Sequence, residues 1–154
     1  MTIVITSGDP AGIGPEIVQK AWICLKKNPT NEFFWIGDPL HLPDSNIPWQ
    51  PIEHPNEASK VFGDALPILI HKFAHPIKIG QHQPENAADV INVIKKAVNL
   101  VKTNNAKALC TSPINKNVLM SGAKFPYTGH TEFLANLDGI DSPVMMLSCS
   151  TLKV

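Results

Sequence analysis

Three short segments of this 154-residue sequence carry groups that can bind anions, and two of the three contain glycine. The first is Gly8–Glu16, which follows the β-branched run Thr2–Ser7 and precedes a helical pattern. Glycines there allow close backbone approach, and a helix N-terminus directs N–H groups at an anion. A Rossmann fingerprint is excluded because, counted from Gly12, its third small residue would fall on Ile17. A P-loop is excluded because no Gly-Lys-Ser/Thr follows. By itself, the segment favours a tight strand-to-helix turn over a binding loop.

The other two segments lie further along the chain. Thr111–Lys116 follows a short apolar run and offers hydroxyl, amide and ammonium donors. It fits a binding loop at the carboxyl end of a strand, and it fits equally an N-capped helix begun by Ser112. In the third segment, His130 and Thr131 follow a glycine at a helix start, a position that suits a phosphate or carboxylate. A capping Thr131 and an exposed His130 explain the same residues, and composition alone slightly favours that explanation.

No metal-binding or nucleophilic motif accompanies these segments. His71 and His75 have the spacing of two ligands on one helical turn, but the surrounding segment has no helical pattern and no nearby acidic partner. The sequence contains neither Cys-x-x-Cys nor Gly-x-Ser-x-Gly. We therefore expect no metal site in this chain, and hydrolase chemistry by a nucleophilic side chain has no support.

The elements that must position these segments predict an α/β domain with a partly parallel sheet, because strand, helix and strand alternate. Leu66–Ile70 and Ile77–Ile79 are short strand candidates that their prolines assign to a sheet edge. Ser112 is expected to cap a helix with Pro113 at its first position. Further strands are predicted at Thr2–Ser7, Phe33–Ile36, Ala108–Thr111 and, as a buried strand, Pro143–Leu147, and further helices from Pro15, from Pro84 and over Thr131–Leu137.

Composition restricts the class of protein. With 44% hydrophobic residues and zero net charge, the chain has the content of one ordinary domain. It has no basic block for nucleic acid or an anionic membrane, and no apolar run of the ~18 residues that a membrane span needs. Cys24, Cys110 and Cys149 are interpreted as reduced core thiols of a cytoplasmic protein. Without any Arg, the chain must meet a phosphate through Lys, His, hydroxyl or backbone N–H groups. The abrupt end at Val154 is interpreted as that of a cut chain.

Taken in order, Thr6–Glu16, Thr111–Lys116 and Tyr127–Phe133, followed by Val144–Leu147, resemble the 4-hydroxythreonine-4-phosphate dehydrogenase family of vitamin B6 biosynthesis. The resemblance runs from Thr2 to the last residue and is weakest in the middle third. It implies the N-terminal half of a three-layer fold of the isocitrate and isopropylmalate dehydrogenase type. A first lobe would cover residues 1–124, and residues 125–154 would begin a second, truncated lobe.

The resemblance also implies an activity. Family members use NAD to oxidise the C3 hydroxyl of 4-phosphooxy-L-threonine, and decarboxylation then gives 3-amino-2-oxopropyl phosphate. They are cytoplasmic homodimers that use a divalent metal (Zn, Mg or Co). By position, His130 and Thr131 match the family's substrate-binding pair, whereas no catalytic or cofactor-binding residue is assigned. The family's metal ligands and most phosphate contacts lie beyond the position of Val154, so the chain is expected to be an inactive fragment.

Two alternative functions stay open. The first is a paralogue that acts on a four-carbon phosphorylated sugar acid, threonate or erythronate phosphate. The second is a non-catalytic phosphate-binding or dimerisation module of this length.

Overall fold

Five parallel strands form one sheet, ordered β3-β4-β2-β1-β5, in the computed structural model, which describes residues 2–154 except the side chain of Pro29. The strands are β1 (Ile3–Thr6), β2 (Phe33–Gly37), β3 (Trp49–Pro51), β4 (Leu66–Ile70) and β5 (Ala108–Cys110). The helices are α1 (Gly14–Leu25), α2 (Ala58–Val61), α3 (Ala87–Lys102), α4 (Lys116–Ala123) and α5 (His130–Asp138). Short 3₁₀ turns occupy Pro29–Asn31, Pro39–His41, Pro55–Glu57 and Pro84–Asn86.

Helices cover both faces of the sheet. Successive side chains of a strand point to opposite faces, so the fully buried β2 supplies both cores. Trp35 packs in one cluster with Trp22 of α1, and Phe34 packs in another with Val93 of α3. The resulting order of helix, sheet and helix confirms the predicted α/β class.

β4 lies inside the sheet, between β3 and β2, so the prediction that Leu66–Ile70 is an edge strand is wrong. Pro67 precedes the first register pair between β4 and β2, Trp35 with Ile68, and its missing N–H therefore removes no bond from that ladder. On its other side, β4 bonds to the β3 segment through the N–H of Leu66 and the C=O of Ile68. A proline is incompatible with a central strand only at a position where the backbone N–H of another residue would have to donate to the neighbouring strand.

Two other strand predictions are wrong. Ile77–Ile79 is irregular, and the N–H of Lys78 donates to Oε1 of Gln83 at 2.6 Å instead of to a strand. Pro143–Leu147 lies on the surface, and Val144 is 93% exposed. Within residues 2–154, Leu147 bonds to Val154 in a short hairpin, but no strand pairs with the rest of this segment. A hydrophobic run is buried only where a neighbouring layer covers it.

The start of α4 also differs from its prediction. Asn115, not Ser112, caps the helix, since Oδ1 of Asn115 accepts a hydrogen bond from the N–H of Val118 at 3.3 Å. Ser112 is buried, and its N–H donates to Oγ1 of Thr6 at 3.1 Å. Residues 112–115 therefore form a loop bonded to the end of β1.

The three cysteines are free, but they are exposed, so the expectation that they lie in the core is wrong. Cys24 is on the outer side of α1, whereas Trp22 on the same helix is buried. Cys110 lies on β5, whose face is only partly covered. Among the described residues, no helix is long and apolar enough to cross a membrane.

Candidate functional site

The strand order reverses direction at β1. The chain passes from β1 through α1 to β2 on one side, whereas β5 pairs with β1 on the other side. In open α/β sheets, ligands bind in the crevice outside the carboxyl ends of the strands at such a switch point. The loops that follow β1 and β5 belong to the first two segments identified in the sequence, and both leave the sheet here.

These two loops form the walls of a crevice of about 570 Å³. Asp9, Gly12 and Ile13 line one wall, and residues 113–117 line the other. The walls are joined directly, because the N–H of Asp9 donates to the C=O of Pro113 at 2.8 Å. The two segments therefore form one structural unit.

Two glycines allow this close approach. Gly8 has φ +67°, and a Cβ at its position would lie 2.5 Å from the carbonyl oxygen of Pro113. A Cβ on Gly14 would collide with the carbonyl oxygen of Ser7, so α1 can begin this close to β1 only with glycine. The glycine pattern is thus required by the turn itself, and the same turn makes one wall of the crevice.

The third segment lies next to Lys116, the residue of the second segment that lines the crevice. This exposed residue begins α4, and its Nζ lies 3.8 Å from the position that a Cβ on Gly129 would take. Glu132 is close by: a hydrogen bond from the Thr128 side chain, further backbone bonds and the charge of Lys116 lower the pKa of its carboxyl group. A cation and an anion therefore flank the start of α5.

His130, the first residue of α5, has a buried Nε2 without a hydrogen-bond partner among residues 2–154. Burial lowers the pKa of this imidazole, which favours the neutral ring. A buried polar atom left unpaired costs about 1–3 kcal/mol, and a ligand hydroxyl or oxyanion would offset that cost. This is the property expected of a ligand-binding histidine.

The structure does not place the predicted pair in the crevice. Neither His130 nor Thr131 is among its lining residues. Thr131 instead lines a separate, mainly apolar cavity of about 470 Å³ with Val98, Leu109 and Leu134. The substrate-binding roles of His130 and Thr131 stay predictions.

Two acidic residues with specific partners were not identified from the sequence. Oδ1 of Asp89 lies 3.1 Å from Nε2 of His71, so the expectation that His71 has no acidic partner is wrong. The Asp38 side chain bonds to backbone N–H groups of Leu40 and Phe73. Asp89 is 18 positions from His71 and occupies the first turn of α3, where an acidic residue is ordinary, so no local signal marks the pair.

Comparison with known proteins identifies similar sequences along nearly the whole chain. Residues 31–154 match a family model described as pyridoxal phosphate biosynthetic protein PdxA. The 4-hydroxythreonine-4-phosphate dehydrogenase of Ruegeria sp. (strain TM1040) is 51% identical over 152 residues, which cover 99% of this chain and 46% of that protein. The protein of the same name from Roseobacter denitrificans is 45% identical over 153 residues, with the same two coverages.

A solved structure extends the comparison to three dimensions. The X-ray structure of a 4-hydroxythreonine-4-phosphate dehydrogenase from Burkholderia phymatum matches with a TM-score of 0.87 at 31% identity, over 99% of this chain and 48% of that one. This match confirms the fold type that the sequence resemblance implied. The chain spans about half the length of the curated relatives it matches.

Proposed function

Because this chain belongs to the PdxA family of pyridoxal phosphate biosynthetic proteins, we propose that it forms the N-terminal half of a 4-hydroxythreonine-4-phosphate dehydrogenase. The proposed reaction oxidises the C3 hydroxyl of 4-phosphooxy-L-threonine to a ketone. When bound, NAD would supply the hydride acceptor, and the hydroxyl proton would be released. The resulting β-keto acid then loses carbon dioxide to give 3-amino-2-oxopropyl phosphate. The proposal includes a cytoplasmic homodimer.

The observation that carries this proposal is the crevice at the switch point. Gly12 presents no side chain there, Ile13 presents an exposed apolar surface, and Lys116 supplies a positive charge beside the first turn of α4. These groups fit a dinucleotide: Lys116 and nearby N–H groups suit a phosphate, and Ile13 suits the flat face of a ring. Because the chain has no Arg, Lys116 is the cation at this crevice that a phosphate can use.

His130 is proposed to bind the substrate. With its pKa lowered by burial, the ring is neutral near pH 7, and the unpartnered Nε2 can bond to a substrate hydroxyl or anionic group. Thr131, the next residue of α5, is proposed to add a weaker neutral hydrogen bond. Both roles require the substrate to reach the start of α5, next to Lys116.

The divalent metal implied by the family resemblance does not fit the residues of this chain. Among residues 2–154, no group of three or more His, Cys, Asp or Glu side chains is arranged to hold an ion. No step of the proposed reaction is therefore derived through a metal here. We propose that its ligands belong to the part of the longer relatives that this chain does not match.

A chimera tests the proposed function. It joins this chain, after Val154, to the part of the Ruegeria relative that the chain does not match. We expect NADH formation from NAD and 4-phosphooxy-L-threonine by the chimera and none by the 154-residue chain alone, with the intact Ruegeria protein as the positive control. Activity only on threonate or erythronate phosphate would establish the paralogue alternative instead. A folded but inactive chimera, together with phosphate binding by the chain alone, would favour the non-catalytic module.

The same chimera tests His130. Loss of a hydrogen bond to a charged group costs ~1.5–3 kcal/mol, so His130→Ala should lower kcat/KM by roughly 10–150-fold. Thr131→Val should have a smaller effect. A His130→Ala chimera with unchanged kcat/KM, or with a loss that follows unfolding, would show that His130 has only a structural role.

A further inference from the structure

Residues 71–83 form an irregular segment, here called the strap, which connects β4 to the Pro84–Asn86 turn. At its start, the N–H of His71 donates to the C=O of Gly37 at the end of β2. Further on, the N–H of Gly80 donates to the C=O of Ala11 at 2.8 Å, in the loop after β1. Since β2 lies between β4 and β1, the strap runs along the carboxyl edge of the sheet.

Side chains at the start of α3 hold the strap in place. The Asp89 carboxylate accepts two hydrogen bonds, from Nε2 of His71 at 3.1 Å and from the N–H of Ala74 at 3.0 Å. The buried Asn86 carboxamide bonds to both backbone groups of His75, at 3.2 and 3.1 Å. The strap has no regular secondary structure, so these side-chain bonds order its first half, together with the bond from the Phe73 N–H to Asp38. In its second half, the Gln83 carboxamide bonds to Lys78 and Pro76.

The far end of the strap contacts the turn that makes one wall of the crevice. Inside that turn, the N–H of Ala11 donates to Oδ1 of Asp9 at 3.0 Å, and the N–H of Gly12 donates to the C=O of Asp9 at 3.0 Å. Gly80 bonds to the remaining polar backbone group of Ala11, its carbonyl. Asp9 therefore fixes one side of the turn, and the strap fixes the other.

We propose that the strap is a positioning device for the crevice. In this arrangement Asn86 and Asp89 hold residues 71–83, Gly80 then fixes the Ala11 carbonyl, and the wall formed by Asp9 and Gly12 keeps the shape that binds a phosphate-bearing ligand. The ligand's identity rests on the proposed function, whereas the mechanical link from α3 to the crevice wall does not.

Amide hydrogen exchange tests the mechanical link in the 154-residue chain. Asp89→Ala removes two hydrogen bonds to a charged group, so the Ala74 amide, which loses its own acceptor, should exchange at least about tenfold faster, and the Gly80 amide about tenfold faster. The Ile94 amide, inside α3, reports whether the whole fold has been destabilised and should change less than about twofold. Glu85→Ala is the matched control, because this exposed acidic residue just before α3 has no bond to the strap. Asp89→Asn, which keeps the size and one acceptor, should give an intermediate rate.

Unchanged exchange of Gly80 in Asp89→Ala would overturn the link. Equal acceleration of Gly80 and Ile94 in both Asp89 variants would overturn it too, because Asp89 would then support the whole fold rather than the strap.

Kinetics of the chimera test the positioning role. Asp89→Ala should raise KM for NAD about fivefold or more, with kcat changed less than about twofold. The reason is that a displaced crevice wall weakens ligand binding equally in the ground state and in the transition state. A higher KM for the phosphorylated substrate instead supports the same role and assigns the crevice to the substrate. Faster strap exchange with both KM values unchanged would overturn it. An inactive parent chimera would contradict the proposed function, while the exchange experiment would still decide the mechanical link.

Discussion

At the scale of single residues, His41 is a histidine whose burial disfavours the charged imidazole more than the nearby Asp38 carboxylate favours it. It is buried after β2, packs on Phe73 with ring centroids 5.0 Å apart, and leaves its Nδ1 without a partner among residues 2–154. Burial lowers the pKa of its imidazole, and the charge of Asp38 opposes that shift only in part. The folded state therefore favours neutral His41.

The lowered pKa of His41 predicts that the folded state loses stability at acid pH. As pH falls below about 6.5, the ordinary pKa of histidine, the unfolded chain takes up a proton before folded His41 does. The free energy of unfolding should therefore be constant above this pH with respect to His41 and decrease as pH falls towards the lowered pKa. Urea unfolding at pH 7.5, 6.5 and 5.5 measures this.

A matched pair of variants isolates the contribution of His41. His41→Gln should reduce the decrease in unfolding free energy between pH 6.5 and 5.5, whereas His82→Gln, at an exposed position, should leave it unchanged. An identical pH dependence in the wild type and in His41→Gln would show that His41 does not contribute. His130, whose pKa is also lowered by burial, acts in the same direction and contributes to the dependence that remains.

At the scale of elements, the crevice depends on how closely the loops after β1 and β5 meet. Gly8 has a positive φ and faces the Pro113 carbonyl oxygen, so both its backbone conformation and its missing side chain are needed. Gly139, at the end of α5, has φ +75° but open space around it. Substitution of Gly139 therefore tests the backbone conformation alone, whereas substitution of Gly8 tests the conformation and the steric contact together.

We expect Gly139→Ala to cost about 1–2 kcal/mol of unfolding free energy from the left-handed conformation alone. Gly8→Ala should cost about 2–5 kcal/mol, because displacement of the neighbouring loop adds about 1–3 kcal/mol. Gly63→Ala, which meets nothing and needs no positive φ, is the neutral control. Urea unfolding of the three variants checks this order. If Gly8→Ala costs no more than Gly139→Ala, the loops can separate without loss.

At the scale of the whole molecule, the surface beside β5 is incompletely covered. The apolar cavity on one side of β5 continues to Pro143 and Met145, and a smaller one of about 180 Å³ on the other side is lined by Cys110 and Ile17. Val144–Leu147 is exposed along its length. Contiguous apolar surface of this kind promotes association.

The 154-residue chain should therefore form aggregates that grow with its concentration and bind an apolar dye, whereas the chimera should not associate beyond a dimer and should bind much less dye. Sedimentation velocity over a concentration series measures the association. Met145→Lys with Met146→Lys should reduce it, and Lys95→Ala, on the exposed side of α3, is a control expected to leave it unchanged. A monodisperse monomer at high concentration would show that the exposed apolar surface does not drive association. The homodimer stays part of the proposed function.

Elements whose signals lie in neighbouring residues of the chain were predictable from the sequence. β1, β2 and α3 lie where β-branched runs, helical periodicity and Pro84 predicted them, and α5 lies within a residue of its expected bounds. These signals depend on neighbouring residues of the chain, such as a proline at a helix start or apolar side chains on one helical face. The family resemblance likewise rests on contiguous motifs, and the family match confirms it.

The contacts between distant segments, in contrast, became known only from the three-dimensional structure. It placed Pro67 inside the sheet, paired His71 with Asp89, and left Val144 exposed. It also brought Gly80 to Ala11, although nothing in either segment marks the other. The physical reason is that burial and hydrogen bonding depend on partners distant along the chain. A residue's type limits which partners it can accept, but the packing of the layers selects the partner it has.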